Sequence, residues 1–596
     1  WNFKLIIKDS TKIDEQTIQK YLKNGLESKF IFDLIQYDSR SNILKITRNP
    51  FYFNTDFGSD DIYNGVSKIA PYINDNDFKE LIIKELKKYK IEIDKSSIQL
   101  QLFDCLPDTL DNFISEFLEI DPSSKKPNKT KNMEKFKKRI IGLTSYFPDI
   151  DKLLPQYNKD VDFIIENIEM SDPQFKIYEA ARVKERKLES QNSKKKKKVA
   201  GSELFEDSVS TYRIFSRQFC NFVFPEPDIK RPLPNSSLEL KNTFDESEEY
   251  FDPLTEKQEL EEIIDEIQDK KQSTKLTKKL YPEELKKSID LLYENKEKYL
   301  TPESLKILSP KFLTMFNNII SESNIGLHLM YSQFKTGEGI NIFSLILKAN
   351  GFAEFKIKKD GIWKLDMNSE DLSKPYRFVM YTGSEGPEEK EIYRNIFNGD
   401  WENIPPNLRE ELQKISKNNL FGEIIKLIMI TASGAEGISL KNVRFVHITE
   451  PYWHNVRLQQ IIGRARRICS HKNLPPELQT VQVYLYLMKF SEKQLSLDDA
   501  LELKAKDKSK LNVGQYLTSD EALYELANIK EKINIEILKN IKEASIDCNI
   551  HESLNKKEGL TCLKFSTTDP NKFSYYPSIS QDESDVMSQA NMQTQK

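Results

Sequence analysis

The chain has 596 residues, 38% hydrophobic and 31% charged, with a formal net charge of -4 and a mean hydropathy of -0.59. That length allows about three or four domain-sized units with real cores. The near-balanced charge excludes a polycation, so any nucleic-acid surface has to be a local basic face. No run of ~18 apolar residues occurs, so no membrane span is expected, and nothing reads as a secretory signal. The five cysteines, Cys105, Cys220, Cys469, Cys548 and Cys562, are scattered and odd in number. That pattern argues for reduced thiols in a reducing compartment rather than a disulfide framework. Cys548 with His551, and Cys469 with His471, lack the further ligands a zinc site needs, so no metal is expected there. Trp1 opens directly into the apolar run WNFKLIIK, and the chain reads as a piece of something longer.

Residues 1–103 mix short strand-like runs and helices. FIFDLIQYDSRSNILKITRNPFYF sets two alternating apolar runs around DSRSN, the pattern of a hairpin. LPDTLDNFISEFLEI and MEKFKKRIIGLTSYF repeat apolar residues at three and four, as helices do, with DPSSKKPNKTKN between them as a polar loop. Lys194 to Lys198 form a run of five lysines in a polar stretch over 186–206. Its plain reading is a self-repelling loop, and its sharper one a nuclear-localisation or phosphate-contacting patch. Residues 236–305, rich in Glu, Asp, Lys and Ser, read as a helical insertion with a solvated face.

The texture changes at Ser309-Pro310, a serine N-cap followed by proline in the first turn. Phe312, Leu313, Phe316, Ile319 and Ile320 then trace one face of a helix. Beyond it strand and helix alternate: GLHLMYSQF, INIFSLILKANGF, PYRFVMYTG, PEEKEIYRNIF, EIIKLIMITAS, VRFVHITEPYW, a basic helix over 454–467, and VQVYLYLMKF. Continuous apolar strands in that alternation predict an α/β domain, a doubly wound parallel sheet covered on both faces. Asn350-Gly351 is an ordinary helix C-cap. EALYELANIKEKINIEILKNIKEA reads as an amphipathic helix, and the tail from Thr567 as too polar to hold a core.

Ligands of such a sheet bind beyond the carboxyl ends of its strands. One strand there runs into Thr431-Ala-Ser-Gly-Ala-Glu-Gly-Ile-Ser439, where Ser433, Gly434, Ala435 and Gly437 allow close approach to a nucleotide or phosphate backbone; a tight strand-to-helix turn explains them about as well. The basic helix carries Gln460-Ile-Ile-Gly463-Arg464-Ala-Arg466-Arg467. Arg464 and Arg467 are three apart and so share a face, fitting an arginine-finger role on a transferring γ-phosphoryl group. Gly463 costs roughly 1 kcal/mol relative to alanine inside a helix, which calls for close approach by a neighbouring domain or a phosphate.

QIIGRARR resembles motif VI of superfamily-two helicases, and TASGAEGISL resembles their motif V. YSQF (Tyr331–Phe334) resembles motif IV of the Swi/Snf-like branch, and Tyr381-Thr382-Gly383 the motif after the next strand. Longer segments, YSQFKTGEGINIFSLILKANGF, EPYWHNVRLQQIIGRARRICSHKNLP and IKEASIDCNIH among them, resemble the helicase of nucleocytoplasmic large DNA viruses, a family related to the poxviral nucleoside triphosphate phosphohydrolase I and the early transcription factor ATPase. RIIGLTSYF, MSDPQFKIYEAAR and STYRIFSRQFCNFVFP resemble that family's segments between its two motor lobes.

The resemblance implies a RecA-like C-terminal lobe over 309–495, a remnant or insertion of the first lobe over 1–130, an interlobe region with helical insertions over 131–308, and a C-terminal helical extension over 496–596. It implies a motor driven by ATP and Mg²⁺, both held mainly by a first lobe ahead of Trp1. No G-x-x-x-x-G-K-[ST] loop occurs here; Asp245-Glu246 sits in a polar insertion and Asp265-Glu266 in a helical acidic run, both as surface charge. Arg464 and Arg467 would act as fingers, with Gly437, Gln460 and Gly463 beside the nucleotide. Ser332, Gln333, Thr382, Gly383, Thr431 and Ser433 would hold a DNA or RNA backbone. A viral transcription role would add the viral RNA polymerase as a partner and place the protein in the virion or the infected cell's cytoplasm or nucleus. The rival reading is a non-catalytic transcription-complex subunit that keeps the lobe-two fold. A restriction-type translocase fits the EPYWHNVRLQQIIGRARRICSH segment less well.

Overall fold

The apolar runs of the second half pair with one another. The computed structural model describes residues 2–7, 14–26, 32–39, 41–48, 54–57, 63–67, 75–101, 106–107, 109–120, 127–140, 143–146, 153–193, 213–232, 274–382, 385–431, 437–496, 507–509, 511–512, 514–548 and 550–562. Seven strands form one sheet in which every neighbouring pair is parallel. They are β1 (Phe163–Glu169), β2 (Leu327–Tyr331), β3 (Phe352–Glu354), β4 (Tyr376–Tyr381), β5 (Leu427–Ile430), β6 (Val443–Ile448) and β7 (Gln482–Lys489). Their order across the sheet is β3-β4-β5-β2-β6-β7-β1. The sheet belongs to a compact unit made of 149–198 and 205–531.

Alternation along each strand divides the apolar residues between two cores. Met330, Leu427, Met429, Tyr484, Tyr486 and Met488 face one core; Leu329, Tyr331, Ile428, Ile430, Val483 and Leu485 face the other. The first core is closed by α4 (Pro310–Ile320) and α5 (Ile340–Ala349), the second by α6 (Pro387–Asn398) and α7 (Asn455–Ala465). This is the doubly wound RecA-like arrangement. Ser309 caps α4 as expected, its hydroxyl accepting from Phe312 N at 3.1 Å, a contact type worth about 1 kcal/mol.

The sheet reaches beyond 309–495. Its edge strand β1 comes from far upstream and pairs with β7 from Phe163↔Val483 to Glu169↔Lys489. Two helices, α1 (Asp172–Ser193) and α2 (Ile214–Asn221), follow it and add Phe175, Tyr178, Phe215 and Phe219 to the first core. The helical character expected over 236–305 is seen in α3 (Thr274–Glu294), Lys296–Tyr299 and Pro302–Leu308. Lys194 to Lys198, Asp245-Glu246, Asp265-Glu266 and the tail from Thr567 lie outside the described residues.

The second unit comprises 1–148, 199–204 and 532–596. The hairpin expected around DSRSN is present: Phe32–Asp38 pairs antiparallel with Ile43–Arg48, and Asn42 takes the positive φ of 52° that the turn requires. Asn2–Ile6 and Gln99–Gln101 complete a four-stranded sheet, packed with Ile18, Leu22, Phe78, Ile82 and Leu86 from two helices. The expected helices form at Leu110–Phe117 and Met133–Ile140. The polar loop between them is partly strand, because Pro127–Thr130 pairs with Leu118–Ile120.

One expectation is overturned in this unit. Cys548 and Cys562 are not free thiols but a disulfide, with Cα atoms 5.6 Å apart. The helix Glu552–Lys557 turns the chain back between them. Pairing depends on that through-space distance, which a sequence spacing of 14 does not reveal.

Two buried histidines lock neighbouring strands of the parallel sheet. His328 Nε2 faces the Asn324 carbonyl at 3.3 Å, and a carbonyl can only accept, so the proton is assigned to Nε2. His328 Nδ1 then accepts from His447 Nε2 at 2.9 Å, and His447 Nδ1 accepts from the Tyr486 hydroxyl at 2.8 Å. Burial pushes His447 down to about 3 and, with the His447 charge, holds His328 well below the ordinary histidine range. Burial likewise takes His471, which donates to the Val443 carbonyl, down to about 4.

A histidine depressed in the folded state stays neutral while its unfolded counterpart takes a proton, so its contribution is intact above about pH 6.5 and is lost as the pH falls toward the folded value. We expect stability, read as the urea midpoint, to fall between pH 7.5 and pH 5 with a share of ~2 kcal/mol from each such histidine. His471→Gln should make that fall shallower. An unchanged slope in the variant would remove His471 from this account.

Candidate nucleotide and nucleic-acid site

The middle strands end together. Tyr331 of β2 lies opposite Ile430 of β5 and Ile448 of β6. The ladder continues one step further, with Ser332 N donating to the Ile430 carbonyl and Thr449 N to the Tyr331 carbonyl. Ser332-Gln333, Thr431 and Thr449-Glu450 therefore leave the sheet side by side at its carboxyl edge, where open α/β sheets bind ligands.

Glu450 organises this edge. Its side chain is fully buried and accepts from Ser332 Oγ at 2.7 Å, from Gln333 N at 3.1 Å and from Asn221 Nδ2 at 2.6 Å. Burial pushes its carboxyl up, opposed by the Lys311 charge and by these hydrogen bonds. Gln333 is also held from the other side, its Oε1 accepting from Arg217 Nη2. Ser332 and Gln333 are thus buried and engaged inside the protein. Thr382 is buried too, with its amide and hydroxyl on Glu385 at 2.6 and 3.0 Å, and Thr431 is 3% exposed. Gly383 and Ser433 lie outside the described residues.

The basic helix is shorter than its sequence suggests. α7 stops at Ala465, Arg466 is its C-cap, and Arg467 lies past its end. The shared helix face expected for Arg464 and Arg467 is therefore replaced by convergence on one stretch of chain. Arg464 Nη1 reaches the Ile438 carbonyl at 3.5 Å, and Arg467 Nη1 donates to Ser439 Oγ. Leu440 N closes the junction on the Arg464 carbonyl at 3.2 Å. Among the described residues no carboxylate pairs with Arg467. Gly437, just before this stretch, is exposed with φ +71°, a conformation that favours glycine. Gln460 is exposed. A Cβ built on Gly463 would meet nothing within 4 Å, so the glycine is not required by packing inside this chain.

Sequence reasoning missed Glu450, Asn221, Lys311 and Arg217. The one available signal was Glu450, a charge placed directly at the end of an apolar strand. Lys311 lay inside a helix whose apolar face drew the attention, yet it is 0% exposed and pairs at 2.6 Å with Asp520, also 0% exposed.

Removing one partner of a buried pair leaves the other charge stranded. Lys311→Met should therefore cost roughly 3–5 kcal/mol in a denaturant titration of the chain. The double change Lys311→Met with Asp520→Leu should recover most of that loss; a double variant no better than the single would mean that the charges themselves are needed.

Residues 402–469 match the helicase conserved C-terminal domain. Over 488 residues the chain is 27% identical to a protein of Acanthamoeba polyphaga mimivirus whose name describes an ATP-dependent RNA helicase, covering 76% of this chain and 51% of that protein. Over 453 residues it is 25% identical to a termination factor NPH-I homolog of African swine fever virus, covering 71% and 52%. The chain thus spans about half the length of these curated relatives. Among solved structures, the C-terminal part of the Fun30 ATPase domain aligns at 16% identity and a TM-score of 0.28, covering 64% of this chain and 99% of that one, a likeness too loose to carry an argument.

Proposed function

We propose that this chain, whose residues 402–469 match the helicase conserved C-terminal domain and which is similar to helicases of large DNA viruses, is the C-terminal motor half of a viral ATP-dependent helicase or translocase acting in transcription. The observation that carries the reading is the convergence of Arg464 and Arg467 on the 438–440 stretch after β5. Arg467 rests there on a neutral hydroxyl, so its charge remains uncompensated by any described carboxylate. A guanidinium so placed can transfer to phosphate oxygens without first breaking an ion pair.

ATP and Mg²⁺ supply the phosphoryl chemistry, and the groups that would cradle the phosphates belong to a first lobe not contained in this sequence. The residues present fit the opposite wall of such a cleft. Gly437 is exposed and leaves backbone open to approach, Gln460 is exposed, and Gly463 leaves free space at the helix surface. Arg464 and Arg467 would stabilise charge developing on the transferring group. The β2, β4 and β5 ends, with Ser332, Gln333, Thr382, Gly383, Thr431 and Ser433, would line the path of a DNA or RNA backbone, and phosphate contacts there would give affinity without sequence preference. The swine fever virus relative is named a termination factor, which supports a role in transcription, and such a role would bring the viral RNA polymerase as a partner.

In the full-length protein, Arg467→Ala should lower ATP turnover by roughly a thousandfold while leaving nucleic-acid binding, read by fluorescence anisotropy, nearly intact. Loss of both together would refute the finger role. The 596-residue chain alone should release no phosphate from ATP above background, and sustained turnover would overturn the assignment of the phosphate cradle to another lobe.

A further inference from the structure

The chain from β2 to α5, residues 332–340 or SQFKTGEGI, is anchored more heavily than a turn requires. At its start, Gln333 is held between Glu450 and Arg217, and the Arg217 guanidinium also lies 5.0 Å from the centre of the Phe334 ring. At its end, Glu338 is 0% exposed and takes a bidentate grip from Arg231, at 2.8 Å from Nε and 3.1 Å from Nη2. Gln218 Oε1 accepts from the same Nη2 at 3.1 Å, and Asn221 Nδ2 donates to the Glu338 carbonyl at 3.0 Å. Backbone bonds close the turn on itself, Ile340 N to the Phe334 carbonyl at 2.9 Å and Asn341 N to the Lys335 carbonyl at 3.1 Å. Gly339 permits that closure, since any Cβ there would overlap the Phe334 carbonyl.

The clamps leave one part of the segment outside. Residues 331–334 and 337–340 are buried, Lys335 is half-buried and Thr336 is exposed. Neither side chain hydrogen-bonds or ion-pairs with any described residue. A lysine and a threonine, the cation and hydroxyl that commonly bind phosphate oxygens, are thus presented on a rigid mount at the carboxyl end of the central strand. Burying an arginine–glutamate pair is expensive unless its geometry is good, and here the pair holds the base of this tip to α2, where the Arg231 guanidinium also lies over the Phe215 and Phe219 rings.

We propose that Lys335 and Thr336 form a phosphate-binding tip for the nucleic-acid backbone, and that Arg231, Glu338 and Arg217 are positioning residues that hold it. This rests on the nucleic-acid reading above and deepens it. Ser332 and Gln333 become the buried root of the contact, and the two residues after Phe334 its working end.

The test uses the full chain and a fluorescein-labelled oligo(dT) strand, with affinity measured by anisotropy over a range of salt concentrations. Lys335→Ala should weaken binding and reduce the slope of log affinity against log salt by about 0.7, the signature of one lost phosphate contact on a single strand. Thr336→Val should weaken binding without changing the slope. Glu338→Gln, which keeps the shape and removes the charge, should weaken binding in the native background but add nothing where Lys335→Ala and Thr336→Val are already combined. A merely structural role for Glu338 would give the same loss in both. Lys335→Ala curves that overlay those of the unaltered chain at every salt concentration would overturn the tip while leaving the nucleic-acid reading standing. Failure of the unaltered chain to bind the strand would overturn both.

Discussion

The ammonium of Lys311 is the point on which the edge of the sheet depends. A lysine has three protons to donate and no other means of satisfying its charge, and all three find partners in the interior. They go to Asp520 Oδ2 at 2.6 Å, Asn221 Oδ1 at 3.0 Å and the Thr449 carbonyl at 3.1 Å. Asp520 in turn accepts from Met488 N at 3.1 Å. One buried charge thereby ties α4 to α2, to the end of β6, to the end of β7 and to residue 520, segments spread over some 300 positions of sequence. A buried ion pair gives little net stability against an apolar substitute. What it does supply is register, because the geometry is satisfied in only one relative placement of those elements.

From that anchor the constraint passes outward through amides. Asn221, with Oδ1 on Lys311, turns its Nδ2 to Glu450 and to the Glu338 carbonyl, while its own carbonyl accepts from Ser309 Oγ. Glu450 then fixes Ser332 and Gln333. The N-cap that starts α4 and the carboxylate that ends β6 are consequently two steps of one hydrogen-bond network. The strand ends are positioned by chemistry lying behind them.

Much of this architecture was legible in the sequence where the signal is local. The runs LHLMY, YRFVMY, LIMI, VRFVHI and VQVYLYLMKF are apolar throughout because both faces of their strands are covered, and the Ser309-Pro310 start needs only neighbouring residues. The edge strand β1 was not legible, since FIIENIE carries polar residues at its exposed edge and its partner lies more than 300 positions later. α2 was hidden for the opposite reason. All eight of its residues are buried, including Ser216, Arg217, Gln218 and Asn221, yet IFSRQFCN reads as half polar. A helix buried all round can carry such residues only if each is bonded, and their partners, Glu185, Gln333, Arg231 and Glu450, come from elsewhere in the chain. The Cys548–Cys562 pair and the early end of α7 at Ala465 were missed because each depends on where the chain turns in space.

The candidate site was legible as motifs but not as roles. The structure puts Ser332 and Gln333 at the carboxyl edge and brings Arg464 and Arg467 together on 438–440, ahead of the start of β6, and it separates the two pairs by environment. The serine and glutamine are enclosed by charge-assisted hydrogen bonds, and Arg467 rests on a single hydroxyl. That contrast fits the roles proposed for them. A group that sets geometry gains from being over-determined, because any slack at its base is multiplied at the tip it supports. A group that must change partners loses by being tightly held, because every contact in the resting state has to be given up before the new one forms. Buried Glu450, Glu338 and Lys311 meet the first requirement, and Arg467, Lys335 and Thr336 meet the second, so the division between mount and working surface runs through the motifs themselves rather than between them.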